Sequence, residues 1–222
     1  MGGGKDGLTA LTRKIVKATI ALMIGLEVID DPATATVALD PVRSRLLAEL
    51  AEPASAAALA GRVGLARQKV NYHLRQLEAH GLVRVASKRQ WGGLTERLLV
   101  ATAASYVVSP GAMGPVAADP DRENDRLSAS YLIALAARVI RETGRFLRRA
   151  EETGKRLPTL SIDAEVRFRS PADRAAFSQE LTEAVTTLVS RYHDAAAPRG
   201  RAHRFVAFAY PKPLALQEEG PS

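Results

Sequence analysis

The sequence predicts an α+β fold in two parts, and three observations support it. Between residues 40 and 80, apolar residues recur every three or four positions in three successive segments, which is the period of an α-helix. The period changes to two in "LVRVAS" and "LTERLLVATA", which "KRQWGG" joins, and this is typical of a β-hairpin. Prolines and glycines over residues 109–121 then predict a linker before a second domain.

Capping residues delimit two short helices in the first domain. Asp40 is a suitable N-cap for "PVRSRLLAEL", and Pro41 stands at the first helical position, where its missing N–H costs nothing. Ser55 caps "AAALAGRVG", which Gly64 ends. With a third helix over 66–80 and a hairpin over 82–101, the order is that of an N-terminal winged helix-turn-helix domain, placed at residues 31–108.

For the second, C-terminal domain, residues 122–211, the sequence predicts a helix-strand-helix-strand order. A long helix covers roughly 122–153 and carries more apolar residues than one small unit can cover, so we expect this domain to hold a homodimer. "TLSIDAEVRFR" alternates apolar and polar residues and predicts a strand. Ser170 caps a helix that extends to about His193, "HRFVAFAY" predicts the last strand, and 212–222 are a tail.

Residues 1–30 are expected to form a leader that is disordered or contains only a short helix. Its apolar run, Ala18 to Leu26, is too short to cross a membrane and lacks the cleavage site of a secretory signal. We therefore expect no membrane association. Met23 is a hypothetical natural start, because organised sequence begins near Glu27.

Composition favours an anionic partner. Lys and Arg number 31 against 24 Asp and Glu, a net charge of +7. The chain has no cysteine, which excludes disulfides and thiolate metal sites and is consistent with a cytoplasmic protein. The four histidines form no i, i+4 pair, and His73, beside the apolar face of the third helix, is expected to pack and to hydrogen-bond. We predict no metal and no cofactor, and no motif supports an enzyme.

The third helix is predicted to enter the major groove of double-stranded DNA. Val70, Leu74 and Leu77 form its buried face, and the outward face is rich in groups that hydrogen-bond to phosphates and base edges. An ordinary solvated face is the alternative, but the helix order and the basic hairpin favour DNA binding. The predicted DNA-binding residues are Arg67, Gln68, Lys69, Asn71, Tyr72 and Arg75 on the helix and Lys88, Arg89 and Arg97 on the hairpin.

A longer stretch, "LDPVRSRLLAELAEPASAAALAGRVGLARQKVNYHLRQLEAHGLVRV", resembles the arsenic-repressor (ArsR-like) winged helix-turn-helix of bacterial transcription regulators. The resemblance covers about residues 37–105. It implies a homodimeric repressor or activator at palindromic promoter sites. Many such regulators sense metals through cysteines before the recognition helix, but "SAAALAGRVGL" has none, so a metal sensor of that type is excluded.

The sequence thus predicts a transcriptional regulator, in the first place a repressor. A sequence-tolerant, chromosome-organising DNA-binding protein is the alternative, against which the outward Gln68, Asn71 and Tyr72 favour base readout. A small organic effector is a further hypothesis, and a plain domain core is the simpler interpretation of the same residues. The residues of that hypothetical pocket are Tyr131, Leu135, Val166, Phe168, Phe205 and Phe208.

Overall fold

The computed structural model describes residues 25–91 and 94–212. Most of the predicted leader, residues 1–24 with Met23, lies outside the described residues. Its last residues belong to the fold, because Glu27–Ile29 form a strand. The chain divides into two compact units between Leu157 and Pro158.

The first unit contains the winged helix-turn-helix order and confirms the predicted α+β class. Four helices are followed by a β-hairpin, and a short strand between the second and third helices joins the same sheet. The elements are β1 (Glu27–Ile29), α1 (Pro32–Ala38), α2 (Pro41–Glu49), β2 (Ala54–Ser55), α3 (Ala56–Val63), α4 (Arg67–Ala79), β3 (Val83–Trp91), β4 (Leu94–Ala101) and β5 (Tyr106–Val108).

The predicted caps are present. The Asp40 carboxylate accepts hydrogen bonds from the backbone N–H groups of Val42 and Arg43, each at 3.0 Å. The Ser55 hydroxyl caps α3, and Gly64 ends that helix with φ of 69°, a left-handed conformation that favours glycine. These caps fix the lengths of α2 and α3, and thereby the short turn that leads into α4.

The core of the unit lies between α2, α3, α4 and the sheet. Val70, Leu74 and Leu77 are buried, as the helical spacing predicts. Leu46 of α2, Leu50 directly after α2 and Leu59 of α3 are completely buried with them. Burial of side chains of this size contributes about 1.5–3 kcal/mol each.

His73 is a polar member of this core. It is buried as expected, but the predicted hydrogen bond is absent, because neither ring nitrogen has a partner among the described residues. Burial lowers the pKa of His73 below its usual 6.5; nearby Arg43 and Lys69 act in the same direction, and Asp40 opposes them. The imidazole is therefore held in its neutral form.

Two small sheets complete the unit. The strands of the larger one are antiparallel in the order β2-β4-β3, and β1 and β5 form a separate parallel pair. Strand β3 extends to Trp91, beyond the "LVRVAS" segment that alternation predicts. The β3–β4 ladder shifts register between Val85 and Ser87.

A long helix, α5 (Ala129–Glu152), belongs to the first unit and packs on β1. Gly144 allows the close approach, since a Cβ there would lie 2.5 Å from the Cβ of Val28. The Arg148 guanidinium donates to the Val28 carbonyl at 2.9 Å and pairs with Glu27 at 2.9 Å. Two short 3-10 helices, Pro110–Val116 and Pro120–Arg122, lie where the sequence predicts a linker, and they also contact α5.

The face that α5 packs inward carries small side chains and not the large apolar ones. Its buried residues are the small Ala134, Ala137 and Gly144. At about 100° per residue, the larger apolar side chains lie on the other side of the helix. Those side chains are Tyr131, Leu132, Leu135, Val139 and Leu147, which are half-buried, and Phe146, which is exposed.

The second unit differs most from expectation. Helix α6 (Pro171–Tyr192) begins as predicted, with the Ser170 hydroxyl accepting from the Asp173 N–H at 3.1 Å. The two predicted strands, in "TLSIDAEVRFR" and "HRFVAFAY", are wrong for this structure, since neither segment has regular secondary structure. The alternating pattern is present, but neither segment has a backbone hydrogen-bonding partner among the described residues. None of the helices in the described part of the chain is long and apolar enough to cross a membrane.

We predict opposite effects of alanine at two helical glycines. At Gly144 the new methyl group would collide with Val28, and overpacking of this kind costs about 1–3 kcal/mol. Gly61 in α3 has open space around it, so Gly61→Ala should gain about 0.5–1 kcal/mol of helix propensity. Urea unfolding of both variants tests this; a Gly144→Ala variant more stable than wild type would contradict the packing of α5 on β1.

We also predict that His73 makes the fold sensitive to acid. The unfolded chain binds a proton at His73 near pH 6.5 and the folded chain binds it only at lower pH, so the free energy of unfolding should fall as pH drops below about 6.5. His73→Leu should remove this pH-dependent loss of unfolding free energy. Urea unfolding at about pH 7.5 and about pH 5.5 measures it, and equal losses in both proteins would contradict the prediction. The pKa of Asp40 is lowered from 3.8, mainly by the Arg43 N–H, so its effect falls outside this range.

Candidate nucleic-acid interface

The outward face of α4 brings most of the predicted DNA-binding residues together. All six predicted positions on the helix are exposed. Five of them line one shallow open groove of about 520 Å³. These five are Arg67, Gln68, Asn71, Tyr72 and Arg75; Lys69 lies beside the groove on the same turn.

The polar groups of this groove have no partners in the part of the chain that the structure describes. Among the described residues, no hydrogen bond or ion pair involves the side chains of Arg67, Gln68, Asn71 or Arg75. The start of α4 is open as well, because Ala66 is the N-cap and supplies no side-chain acceptor. Two guanidinium groups and two amides are therefore solvated, and can replace their hydrogen bonds to water with hydrogen bonds to phosphate oxygens or base edges.

Polar contacts join α2 to α3, the two helices against which α4 packs. The Arg45 guanidinium donates to the carbonyl of Val63, the last residue of α3, at 3.2 Å. Arg62 pairs with Glu49 at 3.5 Å across the same two helices. Tyr72 on the surface of α4 meets the buried His73 ring edge-on, with centroids 5.3 Å apart. The buried face of α4 thus packs on two helices that are themselves joined, while its other face stays exposed.

The wing carries the remaining predicted cations in two different situations. Lys88 and Arg89 are exposed on β3, and Arg89 lies opposite Glu96 in the ladder. Arg97, opposite Lys88, forms an ion pair with Glu78 of α4. This pair links the wing to the helix, and the role predicted for Arg97 in DNA binding stays a prediction. Sequence reasoning missed the pair because the two partners are 19 residues apart.

The residues of the hypothetical effector pocket are divided between the two units. Tyr131 and Leu135 lie on α5 in the first unit, and the other four lie in the second. There, the rings of Phe168 and Phe177 of α6 pack together with their centroids 5.3 Å apart. Phe168 also lines a shallow depression of about 300 Å³. The strand faces that were expected to form the pocket are absent, so an effector site stays a prediction. In the described part of the chain, no three His, Asp or Glu side chains are grouped closely enough to hold a metal ion.

Comparison with known proteins is informative for one region. A family model described as a helix-turn-helix domain matches residues 38–86, which is α2 through the first part of β3. A crystal structure of the transcriptional regulator HlyU from Vibrio vulnificus CMCP6 is 16% identical, covers 44% of this chain and 84% of its own, and has a TM-score of 0.26, too low to support an inference. No curated protein matches the chain. Residues 38–86 are thus a helix-turn-helix domain, the DNA-binding element of transcriptional regulators.

Proposed function

We propose that this protein is a transcriptional repressor of the ArsR-like type that binds a palindromic promoter site as a homodimer in the bacterial cytoplasm. The observation that carries the proposal is the groove on α4, whose guanidinium and amide side chains have no hydrogen bond or ion pair with any other described residue. Repression follows from occupancy, because a dimer bound across a promoter excludes the polymerase from the same DNA.

The groove residues suit the edges of base pairs in the major groove. Gln68 and Asn71 carry amides, which can bind adenine with two hydrogen bonds, and Arg67 carries the fork that suits guanine. Lys69 and Arg75 flank them and suit phosphates, as do Lys88 and Arg89 on the wing. A helix that reads bases and a wing that contacts the backbone together give sequence preference and affinity.

The homodimer is supported by the side of α5 that carries its large apolar side chains, which are half-buried except for the exposed Phe146. The packing of α5 on β1 uses the small residues, and Phe146, on the larger apolar side, is 58% exposed. A second copy of the helix is a suitable cover for such a stripe, since a two-fold pair presents the same surface twice. Two recognition helices related in this way read half-sites about 34–36 Å apart.

We predict that the helix and the wing contribute differently to DNA binding. Gln68→Ala or Asn71→Ala should reduce the preference for the selected site by about 1–3 kcal/mol and leave nonspecific binding nearly unchanged. Lys88→Ala should weaken binding to every sequence and reduce the salt slope by about one unit. Selection from random DNA, followed by titrations at several salt concentrations, measures both effects.

Gln76→Ala is the matched control for the amide substitutions, because Gln76 lies on α4 outside the groove. It should leave both kinds of binding unchanged. Identical behaviour of the helix and wing variants would contradict this division of roles. Selection that returns no preferred sequence would instead support the sequence-tolerant DNA-binding protein.

We predict that Phe146→Ser raises the dissociation constant of the dimer by about tenfold or more, because an exposed phenyl group loses its cover in the partner. Leu39→Ser is the control, since Leu39 is 67% exposed between α1 and α2, away from α5. Light scattering of the full chain over a concentration series gives both constants. A wild-type chain that is monomeric at micromolar concentration would contradict the homodimer.

A further inference from the structure

The second unit has no core within the part that the structure describes. Among its described residues, 158–212, none is buried. Apolar side chains in it remain largely in water; Ile162 is 80% exposed and Val166 is 50% exposed. A segment of this length cannot offset its conformational entropy without burying apolar surface, so something must cover it.

Residues 162–169, "IDAEVRFR", have the pattern of a strand without a strand partner. Ile162, Ala164, Val166 and Phe168 alternate with four charged residues. Among the described residues, no backbone hydrogen bond joins this segment to another one. Its N–H and C=O groups are therefore available to a neighbouring strand.

The charges of this segment are complementary to a second copy of itself. If two copies run antiparallel about a two-fold axis at Val166, Asp163 lies opposite the partner's Arg169 and Glu165 opposite the partner's Arg167. On the other face, Ala164 lies opposite the partner's Phe168, a small residue against a large one. Opposite charges directly across a strand pair stabilise it, and like charges destabilise it.

Neighbouring registers lose this match. An axis at Glu165 places two carboxylates opposite each other, and an axis at Arg167 does the same with two guanidinium groups. Of these three registers, only the one centred on Val166 pairs both acids with bases and leaves an apolar residue on the axis. Pro171, with no N–H, then marks the end of the ladder at the start of α6.

We propose that residues 162–169 pair antiparallel with the same segment of a second copy, about a two-fold axis at Val166. The proposal rests on the homodimer proposed above and adds a second interface to it. The contacts that these charges make within the chain are exposed and exchange readily. Glu165 pairs with Lys212 at 2.5 Å, and Arg169 with Asp173 at 3.2 Å.

A single cysteine at the axis tests the register, because the natural chain has none. In Val166→Cys the two thiols lie opposite each other, with Cα atoms about 4.5–5.5 Å apart, which suits a disulfide. Mild oxidation should give a covalent dimer in high yield. Ser161→Cys is the control, since residues five positions from the axis lie about 34 Å apart in this register and should not cross-link.

Charge exchange tests the pairing in the full chain without a cross-link. A basic variant, Asp163→Arg with Glu165→Arg, and an acidic variant, Arg167→Glu with Arg169→Glu, should each weaken the homodimer by about tenfold or more. A mixture of the two should form a heterodimer at near wild-type affinity, because every charged position then faces an opposite charge. Light scattering and native mass spectrometry measure both results.

The outcomes separate this inference from the proposed function. A wild-type dimer that binds DNA but shows no cross-link at Val166→Cys and no charge dependence would overturn the strand pairing and leave the regulator proposal in place. Equal cross-linking of Ser161→Cys would overturn the register. A monomeric wild-type chain would overturn the homodimer and this interface together.

Discussion

The structure depends on the burial of one apolar stripe, Val70, Leu74 and Leu77, against α2, α3 and the sheet. A helix has a single rotation about its axis that buries three such residues at once. That rotation turns Gln68 and Asn71 away from the core and into water. The reading face of α4 is thus a consequence of its core face, and the Arg45 contact to Val63 holds the neighbouring helix in register.

The buried His73 is the exception in this stripe. Among the described residues its two ring nitrogens have no hydrogen-bond partner, which costs free energy that leucine would not. Its ring meets that of Tyr72, a residue of the groove, edge-on. The burial that lowers the pKa of His73 therefore acts on a side chain next to the exposed face of α4.

Local signals predicted the first unit well. The caps at Asp40 and Ser55, the glycine after α3 and the change of period at the hairpin each depend on residues close in sequence, and each is present. What the sequence could not show depends on distant partners. The pair Arg97–Glu78, the parallel pairing of β1 with β5 and the approach of Gly144 to Val28 join residues far apart along the chain. In the second unit, alternation marks residues suited to a strand, but a strand exists only when a second segment pairs with it.

The helix α5 shows why amphipathicity alone does not identify a domain core. The helix carries many large apolar side chains, but its closest intramolecular contact uses the alanine and glycine side, where backbones approach closely. The large side chains on the other side are only half-buried, and Phe146 is exposed. A symmetric partner would use them twice, and would also present two α4 helices to DNA. In such a pair the discrimination of each half-site, about 1–3 kcal/mol for a bidentate base contact, would count twice, so two α4 surfaces would discriminate between DNA sites more strongly than one.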